Sequence, residues 1–115
     1  MQYMFLIYSA EGTGPAPGSE EFNGLMAAYG AFTNEVKEAG ILKEGAPLQG
    51  VDTATTVRVR NGKAETLDGP FAETKEVLGG YYILDCKNLD EALSYAAKIP
   101  TAAYGSIEVR PVMEM

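Results

Sequence analysis

The 115-residue chain contains no histidine and no tryptophan, and it has one cysteine, Cys86. The missing histidine excludes the most chemistry. Ser-His-Asp and Cys-His nucleophile activation, His-ligated zinc and the two-histidine, one-carboxylate iron site all need an imidazole. Acid–base work therefore falls to Asp, Glu, Lys, Tyr or the thiol. One cysteine cannot close an internal disulfide, and the first residues lack the basic and long apolar regions of a secretory signal. No apolar run reaches the roughly 20 residues that a bilayer-spanning helix needs. Positive charge is also scarce: nine basic against sixteen acidic residues give a net charge of −7, a field that repels phosphate backbones and anionic lipids. These absences predict a cytoplasmic, reduced protein without a direct nucleic-acid or membrane partner. They also predict no cofactor and no metal, since Gly79-Gly80 lacks the spacing of a dinucleotide fingerprint.

What remains is enough for one domain, residues 1–115. A chain of this length hides roughly two-thirds of its unfolded surface, and 46% hydrophobic with 22% charged residues is an ordinary globular composition. Tyr3 to Tyr8 and Leu78 to Cys86 are apolar at both alternating sets of positions, as in strands covered on both faces. A helix is predicted from Ser19, a suitable N-cap followed by Glu20 and Glu21. Its stripe is Phe22, Leu25, Met26, Tyr29, Phe32 and Val36, and Gly40 stops it. Gly24 and Gly30 within it suggest close approach to a sheet. A second, short helix follows the capping pair Asn88 and Glu91, with Ala92, Leu93, Ala96 and Ile99 on one stripe before Pro100.

Thr55 to Arg60, Asn61-Gly62, then Lys63 to Leu67 read as a β-hairpin with a type I′ turn, pairing Val59 with Ala64 and Arg58 with Glu65. Residues 41–52, broken by Gly45, Pro47 and Gly50, read as an extended loop or edge segment. Gly105 to Val112 alternates as an edge strand, with Ile107 and Val109 opposed to Glu108 and Arg110. The order is that of an α+β, ferredoxin-like split βαβ fold with an antiparallel sheet and an added hairpin, in which the helices cover one face. With Val57, Val59, Ile107 and Val109 turned towards the helices, Arg58, Glu65, Glu108 and Arg110 share the far face with tyrosines. Such a face calls for a second copy of the sheet and a homodimer.

One segment has the look of a site. Asp68-Gly69-Pro70-Phe71-Ala72-Glu73-Thr74-Lys75-Glu76 follows the hairpin, and its turn residues can be explained as a rigid corner anchored in the core by Phe71. The functional alternative is that the corner aims Asp68, Glu73 and Lys75 into a far-face cleft. Asp68 and Lys75 are the candidate catalytic residues there, and Arg58, Glu73, Tyr82, Glu108 and Arg110 the candidate ligand-binding ones. Arg58 with Glu65, and Glu108 with Arg110, have a simpler reading as ion pairs. Tyr81 and Tyr82 alternate, so one faces the core and the other the cleft. Cys86 reads as a small packing residue.

This nine-residue motif, followed by Gly79-Gly80-Tyr81-Tyr82, Asp90-Glu91-Ala92 and Glu108-Val109-Arg110-Pro111, resembles the DGPF group of YCII-related proteins. The opening Tyr3 to Tyr8 strand and Thr56-Val57-Arg58 fit as well. The resemblance implies a ferredoxin-like protomer whose sheet packs on its twin in a dimeric α/β barrel. It implies no established activity. A His-Asp pair associated with the wider superfamily has no counterpart here, which leaves Asp68 without that partner. Some family members resemble companions of extracytoplasmic-function sigma factors, which implies a role near transcriptional regulation. Two functions follow as expectations: a small-molecule site in the barrel cleft, with Asp68 as a cofactor-free base and Arg58 or Lys75 stabilising an oxyanion, or a non-catalytic regulatory module associated with a sigma factor.

Overall fold

Strand β1 (Gln2–Ala10) lies at the centre of the molecule because both of its faces are apolar. It pairs antiparallel with β5 (Glu76–Asp85) on one side and β6 (Ser106–Pro111) on the other. In this computed structural model, which describes residues 1–115, β2 (Leu42–Pro47) completes a four-stranded sheet in the order β2-β5-β1-β6. That order, with helix α1 (Glu20–Glu38) between β1 and β2 and α2 (Leu89–Ala96) between β5 and β6, makes the chain ferredoxin-like. No helix is long and apolar enough to cross a membrane.

The helix ends follow their capping chemistry. The Ser19 hydroxyl accepts the Phe22 N–H at 3.1 Å, satisfying a donor that has no partner within the helix. At the other end Gly40 takes a φ of 75°, which lets the chain leave the helix without a Cβ clash. Asn88 caps α2 in the same way, its Oδ1 accepting the Glu91 N–H at 2.9 Å. Both helices lie on one face of the sheet. There Phe32 and Val36 from α1, Ala92 and Ala96 from α2, and Tyr3, Phe5, Ile7 and Leu84 from the sheet form one core with Ile99 and Cys86. Ile107 and Val109 pack against it, as their alternation predicts.

Of the two readings of residues 41–52, the edge segment is the one formed: β2 pairs with β5 at the sheet edge. Two expectations need correction. The hairpin, β3 (Thr55–Arg60) and β4 (Lys63–Asp68), has the expected register and turn, with Asn61 and Gly62 at φ 53° and 76°. It nevertheless stands apart as a two-stranded ribbon and is not an edge of the main sheet. Val57 and Val59 are consequently 62% exposed and do not face the helices. Finally, a Cβ at Gly24 or Gly30 would meet nothing within 4 Å, so close packing does not account for either glycine.

The ribbon makes the protomer broad and thin, 47 × 42 × 19 Å, with a radius of gyration of 16.0 Å. A compact chain of this length has about 13 Å. Its accessible surface is 7898 Å², whereas a monomeric protein of this mass exposes about 6100 Å². The opposite face of the sheet has no helix over it. By register, Met4, Leu6 and Tyr8 line up there with Tyr81, Ile83, Glu108 and Arg110.

Candidate functional site

Helix α1 meets the sheet closely only in its C-terminal half. Phe32 and Val36 are buried, but Tyr29 is half-buried and Met26 is exposed. A cavity of about 380 Å³ lies in this region, bounded by Met26, Tyr29 and Thr33 from α1, Ile7 and Ser9 from β1, Leu42 and Gly45–Pro47 from β2, Gly79–Tyr82 from β5, and Thr101. The register of β1 and β5 shifts here: Ile7 pairs with Gly80 and Tyr8 with Leu78, leaving Gly79 as the extra residue of a bulge. Gly80 lies opposite Ile7 on the helix-facing side, so the sheet contributes no side chain at that point of the floor.

Hydroxyl pairs frame the cavity. Thr33 Oγ1 and Tyr82 OH are 2.8 Å apart and join α1 to the middle of β5. Tyr29 OH is hydrogen-bonded to Thr101 Oγ1, joining α1 to the 3₁₀ turn Pro100–Ala103. The Tyr82 ring also packs edge-on against Phe32, with centroids 5.2 Å apart. Glycine at 45 makes room for that ring, because a Cβ there would lie 2.7 Å from Tyr82 Cδ1. Burial pushes the Tyr29 hydroxyl above the usual phenol range, against the opposing effect of its hydrogen bonds to Thr101. No Asp, Glu, Lys or Arg lines this cavity.

The charged residues singled out from sequence therefore lie elsewhere. Asp68 is exposed at the end of β4, opposite Thr55. The turn after it is held by hydrogen bonds on both sides of Gly69. Gly69 takes a φ of 100°, donates its N–H to Ala54 O at 2.7 Å and accepts the Thr56 hydroxyl at 2.8 Å. Phe71, however, does not anchor the core. It is 70% exposed and lies beneath the Arg58 guanidinium, 4.8 Å from ring centroid to Cζ. Arg58 pairs in register with Glu65 but makes no ion pair with it, and its Nε is shielded from solvent without a hydrogen-bond partner. Glu73 and Lys75 are exposed in the loop before β5.

Glu108 and Arg110 are exposed on β6, opposite Leu6 and Met4, and are not paired with each other. With the ribbon detached from the sheet, Arg58 and Asp68 do not share a sheet face with Glu108 and Arg110. The predicted convergence is not formed within a protomer. A second, shallower cavity of about 550 Å³ is bordered by Tyr8, Leu48, Val51, Phe71 and Leu78, but by none of these charged residues. Of the two adjacent tyrosines, Tyr82 faces the helices. Tyr81 faces the open side, where its hydroxyl donates to Glu44 Oε1 at 2.9 Å. No cluster of three acidic, His or Cys side chains is suited to a metal ion.

Sequence reasoning placed Tyr29 on the helix stripe and Gly79-Gly80 within a strand, but it missed that they meet around a cavity. The signal was the polar Thr33 one turn beyond Tyr29 on the same helix face, next to a strand with two consecutive glycines.

The model of the YCII-related domain matches residues 1–115. The chain belongs to the YCII-related family. An uncharacterised protein of Rhizobium meliloti (strain 1021) is 41% identical over 114 residues, covering 97% of this chain and 92% of that protein. Among solved structures, this YCII-related chain is similar in fold to the 5-chloro-2-hydroxyhydroquinone dehydrochlorinase TftG of Burkholderia phenoliruptrix AC1100, determined in complex with 2,5-dihydroxybenzoquinone. The TM-score is 0.57 at 18% identity, over 100% of this chain and 96% of the other. Neither relative connects the chain to a sigma factor.

Proposed function

We propose that this YCII-related chain binds a small organic molecule in the cavity beneath the N-terminal half of α1, as a homodimer. The observation that carries the reading is the cavity's construction. Gly45 and Gly80 withhold side chains where the sheet faces α1, and hydroxyl pairs at two successive helical turns hold the surrounding residues in place. Its volume lies within the range of ordinary ligand sites, and a mostly apolar lining with a few fixed polar groups is their usual composition. That the similarly folded TftG was determined with a quinone bound agrees with a ring-sized ligand in this architecture.

Tyr82 keeps its place as a ligand-binding residue in this reading, although it does so from the helix side of the sheet. Asp68, Glu73 and Lys75 stand outside the cavity and take no chemical role in it. Proton transfer to a ligand held there would fall to a tyrosine hydroxyl, because no carboxylate or ammonium borders the space.

The dimer rests on surface arithmetic. An excess of roughly 1800 Å² per chain over the monomeric expectation is the area that an obligate homodimer buries per subunit. The open sheet face, with Leu6 at its centre, is where a second sheet would pack. Sedimentation should give twice the 12.3 kDa chain mass, and Leu6→Glu should give monomers. A wild-type monomer at micromolar concentration would remove the dimer.

The binding reading is tested by a thermal-shift screen of small uncharged ring compounds. Thr33→Met, which extends a side chain into the cavity, should abolish the response, and Asp68→Asn should leave it unchanged. Equal responses from wild type and Thr33→Met would place the ligand elsewhere.

A further inference from the structure

We infer that the ligand of this cavity is uncharged and carries a hydrogen-bond acceptor, such as a carbonyl oxygen on a ring-sized body, which the two hydroxyl pairs hold as donors. This rests on the reading of the cavity as a binding site. The charge follows from the lining. No ionised side chain borders the space, and taking an isolated carboxylate or ammonium out of water with no counter-charge is prohibitive.

The acceptor follows from counting hydrogens. Two hydroxyls in contact hold two hydrogens but make one bond between them, so each pair has one O–H left over. Neither Thr33 with Tyr82 nor Tyr29 with Thr101 finds any other side-chain hydrogen-bond partner. The spare lone pairs on these oxygens can go unused at low cost, whereas a half-buried O–H keeps its need for an acceptor, met by water while the cavity is empty and by the ligand once water is displaced. The need is therefore for oxygen or nitrogen lone pairs brought in from outside. The raised titration of Tyr29 agrees with a hydroxyl that stays protonated and donates. Because Tyr29 and Thr33 are four residues apart, the two pairs lie about one helical turn from each other, a spacing that one ring-bearing molecule can span.

Three compounds of similar shape test this on the intact protein: acetophenone, ethylbenzene, which lacks the oxygen, and benzoate, which adds a charge. By titration followed with ligand-observed NMR, acetophenone should bind about 3- to 10-fold more tightly than ethylbenzene, the ratio that one hydrogen bond contributes. Benzoate should bind more weakly than either. Thr33→Val/Tyr82→Phe and Tyr29→Phe/Thr101→Val each delete a whole hydroxyl pair, and at least one of them should close the gap between acetophenone and ethylbenzene. The inference is overturned if ethylbenzene or benzoate binds wild type as tightly as acetophenone, or if the gap survives in both variants. The wild-type comparison stands even if a variant fails to fold. Should no ring compound bind at all, the binding reading itself fails. Should ethylbenzene bind in the cavity as well as the ketone, only the acceptor is lost.

Discussion

In β1 the alternate residues Tyr3, Phe5 and Ile7 are sealed beneath the helices, whereas in β3 the alternate residues Val57 and Val59 are largely exposed, although both strands repeat with the same period of two. Periodicity states which residues share a face. Whether that face is covered depends on a second layer. For the main sheet, α1 and α2 return across β1 and β5 and supply it. The β3–β4 ribbon receives no such return, and two strands alone cannot bury a face. The same kind of residue therefore stabilises the sheet and contributes little in the ribbon.

The largest effect that would sharpen this contrast is Phe5→Ala against Val59→Ala. Phe5 is fully buried, and its removal should cost about 3–5 kcal/mol in urea denaturation. Val59→Ala should cost under about 1 kcal/mol, since most of that side chain is already in water. A Val59→Ala cost that matched Phe5→Ala would break the comparison and place the ribbon's valines inside an interface.

A smaller effect separates two parts of the sheet itself. Gly45→Ala brings a methyl to within 2.7 Å of the Tyr82 ring, which is held by Thr33 and Phe32 and cannot swing away freely. Overpacking of this kind should cost about 1–3 kcal/mol, and it should also weaken any ligand bound beneath α1. If Gly45→Ala left both stability and ligand binding unchanged, Tyr82 would not be a fixed wall of the cavity.

The parts that could be read from sequence were those fixed by neighbours in the chain. Asn61-Gly62 determined a turn, Ser19 and Asn88 determined helix starts, and the doubly apolar runs around Phe5 and Tyr82 determined the two central strands. The edge strand Leu42–Pro47 could not be separated from a loop because Gly45 and Pro47 are poor strand formers. Yet Gly45 is there because Tyr82 needs the space, a requirement set by a residue 37 positions away. The convergence that does not form within the chain has a similar cause. Arg58, Asp68, Glu108 and Arg110 form a plausible constellation only if the hairpin joins the sheet, and no local pattern in residues 55–68 reports whether it does. Thr33 and Tyr82, which do meet, carry no charge and attract no attention in a one-dimensional reading.

The smallest expected effect contrasts the charged contacts of the two regions. On the helical layer, Lys98 Nζ lies 2.6 Å from Glu35 Oε2 and 5.4 Å from the Tyr95 ring centroid. The hydrogen bond to Glu35 raises the Lys98 titration above the ordinary lysine value of 10.5, with the Glu35 charge adding to it. A raised folded-state value means that the stabilisation is fully present below pH 10.5 and is lost as pH climbs through the folded-state value. Lys98→Met should therefore lower the melting temperature slightly at pH 7. The difference should shrink both above pH 10.5 and in 1 M salt, because an exposed pair is screened. On the ribbon, Arg58 stacks on Phe71, and a guanidinium keeps its charge at a pH that neutralises an ammonium. The small loss caused by Phe71→Ala should persist over the same alkaline range. If the Lys98→Met difference instead held constant to pH 11.5, its contribution would be packing of the lysine stem across α1 and α2, and the helical layer and the ribbon would then differ in burial alone.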